Sequence, residues 1–253
     1  MNLHRRLLTT ALVTCLIPGA VYAAPAAVAA AVVKPGRPAG DIALDAGRRP
    51  TEVLSFLGLR TGDRALDVMA GSGYYAELMA RAVGPTGRVI AYEPTVFYSG
   101  ERARKTWAEQ KARNANLAVL VQMPSDIALA PNSLDFTMMH LTYHDFYWES
   151  EKFKFPRTDP SAFLAKLFIA TRKGGIVGVV DHAAAPGNTR DTADKLHRID
   201  PATVKADFAA AGFVLDGEST VLHVPEDDRS KLVFDAALRR KTDRFVFRFR
   251  KPR

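Results

Sequence analysis

Gly71 and Gly73 stand one residue apart in Leu66-Asp67-Val68-Met69-Ala70-Gly71-Ser72-Gly73-Tyr74-Tyr75, between an apolar run and a helical pattern. Glycines so placed let the main chain turn tightly and approach a ligand where any Cβ would collide. Glu93 follows 20 residues after Gly73, at the end of the next apolar run. A carboxylate there accepts hydrogen bonds from ribose hydroxyls, so the pattern points to an adenosine-bearing ligand. Asp67 separates two ligand classes. Its charge attracts a sulfonium, as in S-adenosylmethionine, and repels the pyrophosphate of NAD(P). The alternative reads Gly71, Gly73 and Ala76 as a relaxed dinucleotide fingerprint.

A second group of residues could move protons. His140, His144 and His182 fall at or just beyond the ends of expected strands, and His197 lies in the segment that follows. A histidine titrating near ~6.5 suits removal of a proton from a hydroxyl acceptor. His144 and His182, each beside an aspartate, are the base candidates, with Tyr143 or Asp145 positioning the acceptor. A metal site built from His140, His144, Asp145 and His182 would need His140 and His144 on one helix face. His140 is expected on a strand end, so no metal is expected. The one cysteine, Cys15, lies in a segment expected to be removed, so no intramolecular disulfide, cysteine-based zinc site or cysteine nucleophile is expected.

Alternating elements must position these groups. Residues 64–70 form a strand entering the glycine turn, and Tyr75, Leu78, Met79 and Ala82 form a helical stripe leaving it. Further strands are expected at 88–92, around 118–122, at 134–140 and at 176–181. Helices are expected at 50–57, 101–114, around 163–168 and from Pro201 after an Asp200 cap. Such alternation gives a parallel sheet with ligands at the carboxyl ends of its strands. Residues 220–224 then read as a strand and 232–238 as a helix. In the final run Phe245, Phe247 and Phe249 share one face, and Arg248 and Arg250 the other. That suits an antiparallel edge strand with one wet face.

The start of the chain reads as an address. Arg5 and Arg6 precede the apolar run 7–16, and small residues at Val21-Tyr22-Ala23-Ala24 offer a cleavage site, so residues 1–23 are expected to be a secretory signal peptide. An uncleaved anchor and a twin-arginine signal are the alternatives. Residues 24–44, rich in Ala and Pro, read as a mobile linker, and 45–253 as the folded domain. The 47% hydrophobic and 25% charged composition is ordinary for a globular chain and excludes a disordered or polytopic membrane protein. The net charge of +8 and the basic stretch from Arg239 to Arg253 raise nucleic acid as a partner. Because the phenylalanines there share the buried face, a solvated edge is expected instead.

The glycine turn, Arg49-Pro50-x-Glu52-Val53-Leu54, Tyr143-His144-Asp145, Asp181-His182, Leu196-His197-Arg198-Ile199-Asp200 and Thr242-Asp243-Arg244-Phe245 together resemble the class I S-adenosylmethionine-dependent methyltransferases, within them a bacterial, often exported group. The resemblance implies a doubly wound, mostly parallel seven-stranded sheet with a C-terminal antiparallel strand. It implies that Asp67, Gly71, Ser72, Gly73, Tyr74 and Glu93 line the cofactor site, with Ser125 and Asp126 near the adenine. Members of the class often carry glycine where this chain has Met69. The implied activity is periplasmic methyl transfer to a small-molecule acceptor, with no stable membrane insertion after signal removal. A non-catalytic exported binding protein retaining the fold and an NAD(P)-dependent oxidoreductase are the other readings.

Overall fold

The computed structural model describes residues 26–253. The expected signal peptide and Cys15 lie outside them. Seven strands form one sheet: β1 (Arg64–Val68), β2 (Arg88–Glu93), β3 (Leu117–Val121), β4 (Leu134–His140), β5 (Thr171–His182), β6 (Val214–Ser219) and β7 (Arg244–Arg250), in the order β3-β2-β1-β4-β5-β7-β6. β1 to β5 pair in parallel, and β7 runs antiparallel to both β5 and β6. The chain works outward from β1 to β3 and then returns to lay β4 against β1. The crevice at that reversal is where an open α/β sheet binds its ligands. The sheet is the doubly wound, mostly parallel one that the sequence implies.

The helices are α1 (Ala26–Val33), α2 (Ala39–Ile42), α3 (Asp45–Arg48), α4 (Pro50–Leu57), α5 (Tyr74–Val83), α6 (Thr95–Tyr98), α7 (Glu101–Arg113), α8 (Pro160–Ala170), α9 (Thr189–Leu196) and α10 (Pro201–Ala210), with a 3-10 turn at His144–Tyr147. Their ends follow local chemistry. Pro50 opens α4 and Gly58, with φ 85°, closes it. The Asp159 side chain accepts from Ser161 and Ala162 at the start of α8, as Asp200 does from Ala202 at the start of α10. Successive strand residues feed two apolar layers. Ala65 joins α1, α4, α5 and Trp107 of α7, while Leu66 and Val68 join the aromatic layer of α8, α10 and β7. None of the described helices is long and apolar enough to cross a membrane.

Three expectations are corrected. The segment read as a mobile linker is helical from Ala26, and Val28 and Ala31 pack into the core with α4 and α5. Its alanines and valines bury apolar surface, and Arg37, paired with Asp45 at 2.7 Å, anchors its far end. β7 is an internal strand, and β6 takes the edge. Both faces of β7 are covered: Phe249 stacks on Phe208 of α10 with ring centroids 4.2 Å apart, while Arg248 donates to the Phe56 carbonyl of α4 at 2.6 Å. Residues 220–224 and 232–238 form turns, because their apolar side chains are spent singly rather than along one face. Val233 is buried, whereas Leu232 and Phe234 are exposed.

This irregular segment is held by one buried ion pair. Arg198 meets Asp227 through two bonds, at 2.6 and 3.0 Å, with both side chains fully buried. Arg198 also donates to the carbonyls of Lys231 and Ala183, and Asp227 accepts from the Asp243 amide. The pair thus fastens residues 227–243 to the end of β5. Removing one partner from a buried pair strands the other charge. Asp227→Asn should therefore lower unfolding free energy by about 3 kcal/mol. Chemical denaturation checks this, and a loss under about 1 kcal/mol would contradict the role given to the pair.

Candidate functional site

β1 leads into the glycine turn, which is shaped by left-handed torsions at Met69 (φ 50°), Gly71 (φ 62°) and Gly73 (φ 86°). Met69 thus adopts the conformation that glycine reaches without strain. The two glycines serve different ends. A Cβ on Gly71 would meet nothing within 4 Å, whereas one on Gly73 would lie 3.0 Å from Gln110 Nε2 and 3.1 Å from Trp107. Gly73 therefore lets α7 pack on the turn, while Gly71 leaves open space beside it.

Glu93, at the end of β2, points at this turn, and its Oε1 accepts the Gly71 N–H at 2.5 Å. It is 3% exposed, and burial pushes its pKa up to about 8 against the pull of that amide. Burial also raises Asp67 to about 7; its carboxylate lies against the Ala76 amide in the first turn of α5. Asp67 Oδ2 is buried and has no partner among the described residues. Exposed Ser72 accepts a bond from Gln110 at its carbonyl. Tyr74 is buried, its hydroxyl 2.7 Å from Asp45, so it anchors the N-terminal segment rather than facing the turn. Ser125 and Asp126 are exposed in the loop after β3, bonded to each other at 2.9 Å. An open glycine, an orphaned buried carboxylate oxygen and a second carboxylate at the next strand end fit a cationic adenosine cofactor.

Beside the turn lies a cavity of about 480 Å³ whose lining includes Arg48, Leu141, His182, Phe234, Arg240 and Arg244. None of the residues from Asp67 to Tyr74 lines it, but the Arg48 guanidinium sits 4.2 Å from the centre of the Tyr74 ring and joins the two regions. Arg244 is 7% exposed and donates to the Gly47 carbonyl at 2.7 Å, and its Nε is buried with no partner among the described residues. Among the described residues no carboxylate pairs with any cavity arginine. The basic stretch from Arg239 carries two of these arginines, Arg240 and Arg244, but the sequence did not show that they would turn to one cavity with Arg48.

The histidines separate sharply. His182 pairs with Arg244 across β5 and β7, and its Nδ1 lies 2.7 Å from the Thr242 hydroxyl. Burial and neighbouring cations bring its pKa down to about 3, so its imidazole is neutral and faces the cavity. His144 is buried. Burial would lower its pKa, but Asp181 and Asp145 outweigh that and lift it to about 9. It does not line the cavity, so His182 and not His144 is the imidazole placed at that space. Tyr143 is fully buried with its hydroxyl on Asp207 at 2.8 Å, so it braces α10 and positions no acceptor. Asp145 stands 3.3 Å from His144 Nε2, outside the cavity lining. His140 packs on Tyr75, with ring centroids 4.6 Å apart, and burial with the nearby cations Arg48 and Arg244 pushes its pKa well below the ordinary value.

Solved structures share this architecture. A SAM-dependent methyltransferase from Aquifex aeolicus matches with TM-score 0.56 at 20% identity, over 85% of this chain and 99% of its own. One from Mesorhizobium loti matches with TM-score 0.56 at 13% identity, over 82% and 99%. Phosphoethanolamine N-methyltransferase 2 of Haemonchus contortus, in complex with S-adenosyl-L-methionine, gives 0.57 at 14% identity, over 85% and 57%. The fold is that of the class I S-adenosylmethionine-dependent methyltransferases. Within this methyltransferase fold, residues 46–121 match the protein-L-isoaspartate(D-aspartate) O-methyltransferase family model. A protein-L-isoaspartate O-methyltransferase of Ignicoccus hospitalis is 49% identical over 47 residues, 19% of this chain and 22% of that protein's length. The family-model match covers the glycine turn, Glu93 and the cavity's Arg48, and ends before Leu141, His182 and Arg244.

Glu93 has a folded-state pKa above its ordinary value of 4.5, so the folded chain holds that proton more tightly than the unfolded one. Its contribution to stability must fall as pH rises from 4.5 towards 8. Glu93→Gln keeps an acceptor for Gly71 and removes the titration. The variant should melt roughly 5 °C above the wild type at alkaline pH, with the gap closing under acid conditions. Equal gaps at both ends, by differential scanning fluorimetry, would contradict the buried-carboxyl assignment.

Proposed function

We propose that the protein transfers a methyl group from S-adenosylmethionine to a small anionic acceptor held in the arginine-lined cavity. The observation that carries this is the Gly71–Glu93 arrangement, an open left-handed glycine with a carboxylate already aimed at it. When bound, S-adenosylmethionine supplies an electrophilic methyl on a sulfonium. Glu93 offers its second oxygen to the ribose, Gly71 yields the space for close approach, and Asp67 faces the cationic end. Ser125 and Asp126 flank the same strand ends on the adenine side.

Arg48, Arg240 and Arg244 hold an acceptor carboxylate or phosphate, while Leu141 and Phe234 cover its apolar body. His182, fixed through Thr242, takes the proton that the acceptor loses. Its low pKa makes it a poor base in the empty pocket. An acceptor anion beside Arg244 offsets the positive field and raises that pKa, so binding itself readies the base. The signal-like start supports an exported, periplasmic enzyme acting on a small molecule, with neither nucleic acid nor a lipid surface as substrate. The family-model match ends at residue 121 and so supports the donor half without extending to an isoaspartyl acceptor.

Calorimetric titration of the purified chain should show binding of S-adenosylmethionine and S-adenosylhomocysteine but not NAD. NAD binding alone would make it an oxidoreductase, and binding of none would make it a non-catalytic protein of the same fold. Gly71→Val should weaken S-adenosylmethionine at least 100-fold while the far-ultraviolet circular dichroism stays that of a folded chain. In a labelled-methyl screen, carboxylate and phosphate acceptors should react where neutral analogues do not. Arg244→Gln should then raise acceptor KM at least tenfold with the Kd for S-adenosylmethionine unchanged; preferred neutral acceptors would refute the anionic assignment.

A further inference from the structure

Behind the cavity wall, three side chains from two separate segments converge on one point. His144 Nε2 lies 3.3 Å from Asp145 Oδ1 and 3.3 Å from His197 Nδ1, and those last two atoms are 3.8 Å apart. The same three atoms make all three edges, so they form one small triangle. We infer that His144, Asp145 and His197 bind a divalent first-row transition-metal ion.

The first support is the direction of the ring nitrogens. His144 Nδ1 lies 2.8 Å from Asp181 Oδ1, and the other oxygen of Asp181 accepts the His144 main-chain N–H at 2.9 Å. Asp181 is fully buried, so His144 Nδ1 carries the proton that this carboxylate accepts, and Nε2 is the nitrogen a metal ion takes by displacing the proton it carries in the empty site. That nitrogen faces a carboxylate oxygen and a second imidazole nitrogen. A proton on Nε2 would serve one edge, and at 3.3 Å both edges are long for an N–H donor. A metal ion serves all three.

The second support is size. Zinc bound by imidazole nitrogen or carboxylate oxygen at about 2.0–2.1 Å in tetrahedral geometry spaces its ligands about 3.3–3.4 Å apart. Two of the three edges have that length, and the third needs a small side-chain shift. Two imidazoles with one carboxylate suit zinc, iron or manganese and disfavour magnesium or calcium, which take oxygen.

The third support is the surrounding shell. A buried carboxylate on the far nitrogen of a ligating histidine is the usual means of fixing ring orientation and raising donor strength. Trp148 and Phe234 stand beside the His197 ring, with centroids at 5.6 and 5.0 Å, and limit the directions it can take. His197 itself closes α9 in a left-handed conformation, φ 50°, an unfavourable backbone that turns its imidazole to the cluster. Bound there, the ion ties the His144–Tyr147 turn to the end of α9, two of the segments backing the cavity through His182 and Phe234.

The test uses the full chain, stripped with a chelator and titrated with zinc chloride against a chromophoric competitor. One zinc per chain should bind, and zinc should raise the melting temperature by about 5 °C when present well above its Kd. His197→Gln, at a partly exposed position that tolerates change, should weaken zinc at least 30-fold and abolish the thermal shift. His223→Gln removes an imidazole that pairs with Asp243 away from the cluster and should leave both unchanged. Should His144→Ala fail to fold, Asp145→Asn supplies the second ligand test, with a similar loss of affinity. X-ray absorption should report imidazole nitrogens in the first coordination sphere. Absence of stoichiometric binding, or equal zinc affinity in wild type and His197→Gln, would overturn the site. None of these readouts depends on methyl transfer, so this inference and the proposed activity stand or fall separately.

Discussion

The hydrogen bond from the Gly71 amide to the Glu93 carboxylate joins the two halves of the proposed donor site. β1 and β2 are neighbours in parallel, so their carboxyl ends emerge side by side. The bond fixes the glycine turn against the second of these ends and sets the width of the crevice. It also keeps a carboxyl group buried, which raises its pKa and destabilises its charged form. Such a buried acid costs stability, and in the proposed function that cost serves the binding of a ligand.

Charge then divides the molecule around this bond. On the side of the glycine turn sit Asp67 and Glu93, both buried and both with raised pKa values. On the cavity side sit Arg48, Arg240 and Arg244, with no carboxylate among them. A cationic donor and an anionic acceptor would each meet the opposite sign, and their reacting ends would be directed toward the boundary where Tyr74 meets Arg48. The Arg198–Asp227 pair works at a distance from both, because it holds the irregular segment that closes the cavity. Without that clamp, residues from Val233 to Thr242 would have little regular hydrogen bonding to keep them over the pocket.

Much of this was legible in the sequence where local rules are strong. Pro50 and Gly58, Asp200 and Pro201, and the stripe from Tyr75 to Ala82 mark their helices by capping and periodicity alone. The glycine turn with Glu93 was legible because its chemistry repeats a spacing fixed by one strand, one turn and one helix. The misreadings share a different cause. β7 looked like an edge because Arg248 and Arg250 alternate with phenylalanines, yet their guanidiniums are satisfied by Phe56 and Asp216 from elements far away in sequence. Residues 232–238 looked helical because apolar side chains that line a cavity can mimic a helix stripe. Among the histidines, adjacency to aspartate did not say which ring nitrogen would face what. His144 turned inward to Asp181 and His182 outward to the cavity, a distinction set by the β5 pairing rather than by either dipeptide.

The central claim is that Glu93 and the open side of Gly71 together receive an adenosine sugar. A crystal structure of the chain grown with S-adenosylhomocysteine tests it directly. The account predicts ribose hydroxyls bonded to the Glu93 carboxylate, with the sugar against Gly71 and the amino-acid end toward Asp67. A ligand bound elsewhere, or a Glu93 that still contacts only the Gly71 amide while the sugar lies apart, would contradict it.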